Sequence, residues 1–341
     1  MINFINDYSE GAHPRIFELM LHANLEQNTG YGEDSHSELA KQYIKKEMHK
    51  EDVDIHFIPG GTQTNLLVIS SFLRPHQCVI AADTGHVNVH ETGAIEATGH
   101  KVVTVPNQDG KLSPAGIRRA LESHNGEHMV QPKMVYLSNT TELGTIYTKA
   151  ELVAIRELCI QENLLLFLDG ARLASALTCS SNDLTMKDIA DLVDVFYIGG
   201  TKNGALLGEA LVICKQELRE DFRYLIKQRG AMMAKGFVIG QQFEALFENG
   251  LYYELGTHAN RMAEKIARAL SDKGISFYAP FCSNQIFPIL SDEWIDKMAE
   301  KFGFQIQDRV DEEHSAIRLV TSWASSQSSV DSLIEFIQGL D

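Results

Sequence analysis

The sequence predicts an α/β protein with a mostly parallel sheet of about seven strands and a smaller α/β domain towards the C-terminal end. Short apolar runs alternate with helical segments along most of the chain, as the crossover connections of parallel strands require. Two runs, residues 163–168 and 193–198, are followed by glycine-containing turns and are typical of buried strands. Beyond residue 273 the pattern changes, which indicates a second domain.

Each strand of the large sheet is predicted from a short apolar run: Ile55–Ile58, Cys78–Ala82, Lys101–Val105, Lys133–Leu137, Leu164–Leu168, Val193–Ile198 and Ala210–Cys214. Helices are predicted at residues 14–25, 36–48, 66–73, 88–98, 113–124 and 149–162, followed by a long helical region at 216–273. The smaller domain is predicted to hold strands at 284–290, 304–308 and 316–321 and a helix at 329–339. We therefore expect an N-terminal arm with the large domain at residues 1–250 and the small domain at 251–341.

Composition excludes several classes of protein. The formal charge of −16, from 30 basic and 46 acidic residues, would repel nucleic-acid phosphates and anionic lipids, so we expect neither partner. No segment approaches the roughly 20 apolar residues of a membrane span, and the amino terminus lacks a secretion-signal pattern. The five cysteines are far apart and mostly in apolar segments, so we expect buried thiols, no metal site and a cytoplasmic location.

Two charged residues follow neighbouring predicted strands. Asp169 begins Asp-Gly-Ala-Arg after the first strand, and Lys202 lies in a glycine-rich loop after the second. Ligands bind at this edge of open α/β sheets. A lysine that forms a Schiff base with an aldehyde, and an acid that keeps a pyridine nitrogen protonated, are the needs of pyridoxal phosphate. Taken singly, each motif is more often a turn or a solvated charge.

A glycine turn precedes the third predicted helix. The segment Gly60-Gly61-Thr62 opens that helix after a strand, so its free amides, the Thr62 hydroxyl and the helix dipole would hold a phosphate group. An ordinary helix cap would have the same sequence.

Taken together, these motifs resemble the L-threonine aldolase group of pyridoxal 5′-phosphate enzymes, which have the aspartate-aminotransferase fold (fold type I). The resemblance extends over nearly the whole chain. It rests on residues 6–9, 30–34 and 60–65, His86, Glu91, residues 169–172, Thr201-Lys202 and residues 317–321.

The resemblance implies a role for each of these residues. Lys202 would carry the cofactor, and Asp169 would bind its pyridinium nitrogen. His86 would lie flat against the cofactor ring and take the proton of the substrate's β-hydroxyl, directly or through a water. Arg172, beside the cofactor, and Arg318, from the small domain, would grip the substrate carboxylate. Asn6 and, from a partner chain, Tyr31 would also face the substrate.

The implied reaction is cleavage of L-threonine or L-allo-threonine between Cα and Cβ, which yields glycine and an aldehyde. Two alternatives stay open. The same fold supports β-elimination, which would release pyruvate and ammonia, and transamination. A cofactor-free relative that serves as a scaffold would lack all of these reactions.

The sequence departs from the commoner family pattern at three places. Asn6 stands where many relatives have serine, and Thr141-Glu142-Leu143 stands where many have a histidine after Asn-Thr. The segment 229–235 replaces a glycine-rich stretch whose arginine reaches a neighbouring subunit's phosphate; Arg229 or Lys235 could substitute. By resemblance we expect a homodimer or homotetramer with shared active sites.

Overall fold

A seven-stranded sheet forms the centre of the computed structural model, which describes residues 1–340. The strands of the chain are β1 (Ile2–Asn3), β2 (Asp54–Ile58), β3 (Gln77–Ala82), β4 (Val102–Val105), β5 (Gln131–Ser138), β6 (Leu165–Asp169), β7 (Val195–Gly199), β8 (Glu209–Ile213), β9 (Gln285–Ile286), β10 (Ile289–Ser291), β11 (Phe302–Gly303), β12 (Gln305–Arg309) and β13 (His314–Val320). The helices are α1 (Pro14–His22), α2 (Ser35–Met48), α3 (Gly61–Phe72), α4 (His86–Val89), α5 (Pro114–Glu122), α6 (Lys149–Gln161), α7 (Leu173–Thr178), α8 (Met186–Leu192), α9 (Phe222–Gln228), α10 (Phe237–Phe247), α11 (Leu251–Asp272), α12 (Asp292–Ala299) and α13 (Gln327–Gln338).

The large sheet has the strand order β2-β8-β7-β6-β5-β3-β4. Strand β8 runs antiparallel to both of its neighbours, whereas the pairs from β7 to β4 are parallel. The predicted fold class is therefore confirmed. Each of the seven predicted strands lies at its expected position, with ends that differ by one or two residues.

Alternate residues of the central strands face two separate cores. On β5, Val135 and Leu137 pack into one core, and Met134 and Tyr136 pack into the other. Helices cover both faces, so every residue of β6 is buried. This burial explains why the strand sequences are continuous apolar runs instead of alternating patterns.

The helices differ from the sequence prediction in three places. The segment predicted as one helix at residues 88–98 is the short α4 followed by a 3₁₀ turn, because Thr92 and Gly93 have positive φ angles of 51° and 73°. The helical region 216–273 is interrupted at Gly230 and Gly250, which also have positive φ angles. Helices α7 and α8, of six and seven residues, were not predicted. In residues 1–340, no helix combines the length and the apolar character needed to cross a bilayer.

A smaller antiparallel sheet forms the C-terminal part, with β13 between β10 and β12 and also paired with β9. The amino-terminal arm packs beside this sheet, since β1 pairs with β11 in a separate two-stranded sheet and the Val320 amide donates a hydrogen bond to the Phe4 carbonyl over 2.8 Å. The arm therefore packs with the C-terminal part of the chain. The division at residue 250 stays a prediction.

Helix α11 packs closely on α7 through Gly256. A Cβ atom at this position would lie 2.6 Å from the backbone carbonyl carbon and oxygen of Ala174. We expect Gly256→Ala to lower the free energy of unfolding by about 1–3 kcal/mol, because the two helices must move apart. Urea unfolding followed by circular dichroism measures the change. Thr257→Ala, on the exposed side of the same helix, is the control; equal stability of both variants would contradict the prediction.

Candidate functional site

A cavity of about 440 Å³ lies at the C-terminal ends of β5, β6 and β7. It brings together six of the predicted site residues: Gly61, Thr62, His86, Asp169, Arg172 and Lys202. Its lining also includes Tyr8, Asn65, His90, Ser138, Thr140, Glu142, Tyr197, Thr201 and Glu209.

The ends of β6 and β7 are held together by glycines. The Gly199 amide donates to the Gly170 carbonyl over 2.9 Å. A Cβ at Gly170 would lie 2.0 Å from the Tyr197 carbonyl oxygen, and one at Gly199 would lie 2.4 Å from the Ala171 carbonyl oxygen. Only glycine permits the two strand ends to approach this closely. As a result, Asp169 and Lys202 lie in one cavity.

Lys202 lies in the turn after β7. Burial and the neighbouring Arg172 guanidinium lower the pKa of its amine, and the carboxylates of Asp7 and Asp169 partly oppose that shift. Its Nζ lies 6.0 Å from the centre of the Tyr8 ring. A lowered pKa leaves a larger fraction of the amine neutral, which is the form that attacks an aldehyde.

The Asp169 carboxylate is buried and accepts three hydrogen bonds, which leaves Oδ1 with only one of them. It accepts hydrogen bonds from the Tyr136 hydroxyl at 2.6 Å, the Ala171 amide at 2.9 Å and Asn65 Nδ2 at 3.2 Å. Burial by itself would raise its pKa, but His86 and the tyrosine hydroxyls hold that pKa below its usual range. The carboxylate is thus ionised at neutral pH.

His86 is oriented by a buried acid that the prediction had left without a role. Its Nδ1 lies 2.7 Å from Oε1 of Glu91, and the same oxygen accepts a hydrogen bond from Asn65 at 2.7 Å. Because a carboxylate oxygen accepts, Nδ1 carries the proton and Nε2 is left for the cavity. Asn65 also reaches Asp169, so one amide links the two acids.

Arg172 forms a buried, two-bond ion pair with Asp7 of the arm. Its Nε and Nη2 donate to the two carboxylate oxygens over 2.7 and 3.0 Å. Asn284 donates to the same carboxylate over 2.9 Å. Arg172 Nη1 takes no part in this pair, and the side chain lines the cavity.

Arg318, on β13, is not part of the cavity lining, but its charge interacts with those of Arg172 and Asp7. Its Nε and Nη2 donate to Oε1 of Gln285 over 3.0 and 2.7 Å, and its Nη1 donates to Gln305 over 2.8 Å. Burial and the Arg172 guanidinium lower its pKa to about 10. The group therefore remains a cation at neutral pH.

Like Arg318, the predicted substrate-binding residues Asn6 and Tyr31 lie outside the cavity lining. Asn6 Oδ1 accepts hydrogen bonds from the Tyr8 amide at 3.0 Å and the Ser9 hydroxyl at 2.9 Å, which shapes the arm. Tyr31 lines a separate small cavity, where Lys227 Nζ lies 4.8 Å from the centre of its ring. Within its own chain, Tyr31 does not contribute to the site.

Two acidic residues of the site were missed as candidates. Glu142 accepts hydrogen bonds at Oε1 from the Ser138 hydroxyl at 2.7 Å and from the His86 amide at 2.9 Å. Glu209 accepts hydrogen bonds from the Gly200 amide and the Thr201 hydroxyl, both at 2.9 Å. Glu209 could have been noticed in the sequence as an acid inside an apolar run. Glu142 could have been noticed because it lies where the sequence departs from the family pattern.

The residues of the cavity fit pyridoxal phosphate. Gly60, the N-cap of α3, offers no side-chain acceptor, so the first amides of this helix are available to a phosphate beside Gly61 and Thr62. Asp169 is the ionised acceptor that a pyridinium nitrogen needs, and Lys202 is the amine that the aldehyde needs. The cavity volume of about 440 Å³ is also typical of small-molecule sites.

Known proteins resemble this chain over nearly its whole length. The beta-eliminating lyase family model matches residues 4–292. The low-specificity L-threonine aldolase of Pseudomonas sp. (strain NCIMB 10558) is 30% identical, with 99% of this chain and 97% of the relative covered. The threonine aldolase structure of Leishmania major superposes with a TM-score of 0.98 at 50% identity over 99% of both chains.

A more distant structure, a double mutant of Thermus thermophilus aspartate aminotransferase, shares the fold alone. Its TM-score is 0.74 at 14% identity, with 100% of this chain and 92% of that chain covered. The expected fold type is thereby confirmed. The chain belongs to the beta-eliminating lyase family, in its low-specificity L-threonine aldolase group, and is a lyase that depends on pyridoxal 5′-phosphate.

Proposed function

We propose that this enzyme cleaves L-threonine, L-allo-threonine and related β-hydroxy-α-amino acids to glycine and an aldehyde. The observation that carries the proposal is a single cavity that holds a lysine of lowered pKa, an ionised Asp169 and the imidazole of His86. When bound, pyridoxal phosphate supplies the electron sink that accepts the electron pair of the broken Cα–Cβ bond.

The two ends of the cofactor would be bound by different elements. The first amides of α3, with the Thr62 hydroxyl, would bind the phosphate, and the ionised Asp169 would accept a hydrogen bond from the pyridinium nitrogen. Lys202 lines the same cavity as both anchors, as a covalent attachment requires.

Both arginines would bind the substrate carboxylate. Arg172 has one nitrogen left after its pairing with Asp7, and Arg318 adds a second positive charge. Because Asp7 neutralises Arg172, the net charge offered to an incoming carboxylate is close to that of one arginine. A site with this net charge would bind the carboxylate of an α-amino acid but would bind other anions only weakly.

The proton of the β-hydroxyl would pass to Nε2 of His86, directly or through a water. The imidazole is fixed by Glu91, so its free nitrogen keeps one direction relative to the cavity. Holding a base in place in this way contributes typically 10²- to 10⁴-fold to the rate of a proton transfer. Asn6, whose side chain shapes the arm beside Tyr8, would act on the substrate through the position of the arm.

We also propose that two copies or more assemble as a homodimer or homotetramer with shared active sites. Exposed apolar side chains lie on the arm side of the molecule: Phe17, Leu21, Leu25 and Leu206. Phe17 and Leu206 both lie beside Gly11, so they form a continuous surface, which is typical of interfaces. Tyr31 and either Arg229 or Lys235 would then reach the partner's cavity. A cytoplasmic location accompanies this proposal, since all five cysteines are free thiols.

Lys202→Ala tests the attachment of the cofactor. We expect the wild-type protein to show a visible absorbance band with pyridoxal phosphate and to release acetaldehyde and glycine from L-threonine or L-allo-threonine. The variant should lose the band and the aldehyde, because no other amine lines the cavity among residues 1–340. Lys297→Ala, an exposed lysine, is the control. An oxo acid with ammonia would indicate elimination, an oxo acid without ammonia would indicate transamination, and a colourless wild-type protein would indicate a scaffold.

Arg318→Gln tests the carboxylate site. Loss of a charge-assisted hydrogen bond should raise KM for L-threonine by about tenfold to a hundredfold, with little change in the affinity for pyridoxal phosphate. Steady-state kinetics and a cofactor titration measure the two quantities. Arg309→Gln, an exposed arginine on the neighbouring β12, should behave as the wild type; an unchanged KM in Arg318→Gln would exclude the role.

A further inference from the structure

Glu142 is a carboxylate that faces the candidate active site and has no part in the function proposed above. It lines the same cavity as His86, Asp169 and Lys202. Both hydrogen bonds from Ser138 and the His86 amide go to Oε1. Its second oxygen, Oε2, takes part in neither bond and is available to a ligand in the cavity.

The backbone around Glu142 is fixed on both sides. The Thr141 amide donates to the Thr145 carbonyl over 2.9 Å, and their hydroxyls lie 2.7 Å apart. Ser283 donates to the Gly144 carbonyl over 2.7 Å. A group held by a closed turn keeps its position when a substrate enters, as a recognition group must.

The same turn is joined to the proposed carboxylate site through one side chain. Gln285 Nε2 donates to the Thr141 carbonyl over 3.2 Å, while its Oε1 accepts both bonds from Arg318. Glu142 is therefore fixed relative to the cation that would hold one end of the substrate. A substrate bound by its carboxylate would present its β-carbon at a set distance from Glu142.

The charges around Glu142 support an interaction with a hydroxyl. Burial raises the pKa of Glu142, the Ser138 hydrogen bond and the His86 imidazole lower it, and the Asp169 carboxylate raises it further. Arg172 and Arg318 also act on it electrostatically. A buried carboxyl group that lies beside a methyl group has lost its hydrogen bonds to water without a replacement. A hydroxyl in the same place supplies a replacement hydrogen bond.

We propose that Glu142 determines which β-carbon configuration the enzyme prefers: the protonated Oε2 donates a hydrogen bond to the oxygen of the substrate's β-hydroxyl, while the proton of that hydroxyl passes to His86. L-Threonine and L-allo-threonine exchange the positions of hydroxyl and methyl group around Cβ. The isomer that directs its hydroxyl to Glu142 gains a hydrogen bond, whereas the other isomer brings a methyl group against the carboxyl group. His86 accepts the hydroxyl proton of either isomer, whereas Glu142 binds the hydroxyl of only one of them. This inference rests on the proposed function for its substrate class.

Glu142→Gln and Glu142→Ala test the proposal in the holoenzyme. Glu142→Ala removes the hydrogen bond and should change the ratio of kcat/KM for the two isomers by about tenfold, mainly through the preferred isomer. Glu142→Gln should change the ratio less, because an amide can still bond to a hydroxyl. Glu142→Asp, which keeps a carboxyl group, should retain the direction of the preference. Glu127→Gln, the same change at an exposed position, should match the wild type. A ratio within twofold of the wild-type value in both Glu142→Gln and Glu142→Ala would overturn the proposal.

Equilibrium binding separates recognition from a merely structural role. L-2-Aminobutyrate has no β-hydroxyl, and its dissociation constant can be measured by titration of the cofactor's visible absorbance. Glu142→Ala should bind it as tightly as the wild type or more tightly, while the preferred threonine isomer binds more weakly. Equal weakening of both ligands would show a disturbed site and overturn the proposal. Because binding needs no turnover, a wild-type protein that binds both isomers without releasing aldehyde would refute the cleavage reaction, and the binding ratio would still decide the role of Glu142.

Discussion

The buried ion pair of Asp7 and Arg172 fixes the parts of the molecule that form the site. The exposed fractions of the two side chains are 1% and 10%. Charges removed from water persist only where further hydrogen bonds compensate their desolvation, and Asn284 supplies one to Asp7. The arm, the end of β6 and the C-terminal sheet thus meet at one carboxylate. Removing one partner would leave an uncompensated charge, at a typical cost of about 3–5 kcal/mol.

This junction continues through the next residue of the chain. Asn284 binds Asp7, and Gln285 binds both Arg318 and the turn that carries Glu142. Two arginines can therefore lie near each other beside the cavity, one neutralised by a carboxylate and the other held by neutral amides. Burial and the Arg172 guanidinium lower the pKa of Arg318, and the amides that hold it stabilise its charge less than a carboxylate would.

Much of the fold and the centre of the site could be predicted from the sequence, because both follow from local patterns. The apolar runs defined the strands, and parallel strands bring Asp169 and Lys202 to the same edge. The roles of Glu91 and Glu142 could not be found in this way, since each depends on contact with His86 that only tertiary packing creates. The helix predicted at 88–98 was wrong for a different reason: positive φ angles at Thr92 and Gly93, which the helical pattern does not reveal, interrupt the segment between α4 and the 3₁₀ turn.

The acids around Lys202 differ in charge because their surroundings differ. Tyrosine hydroxyls and His86 keep Asp169 ionised, whereas burial raises the pKa of Glu209 to about 8. The same burial disfavours the charged form of Glu209, which holds the turn before Lys202 through the Gly200 amide and the Thr201 hydroxyl. An ionised acid at that position would stabilise the ammonium form of Lys202. Burial and the Arg172 guanidinium lower the lysine pKa, and the carboxyl groups, Glu209 included, oppose that shift without reversing it, so that the amine can act as a nucleophile.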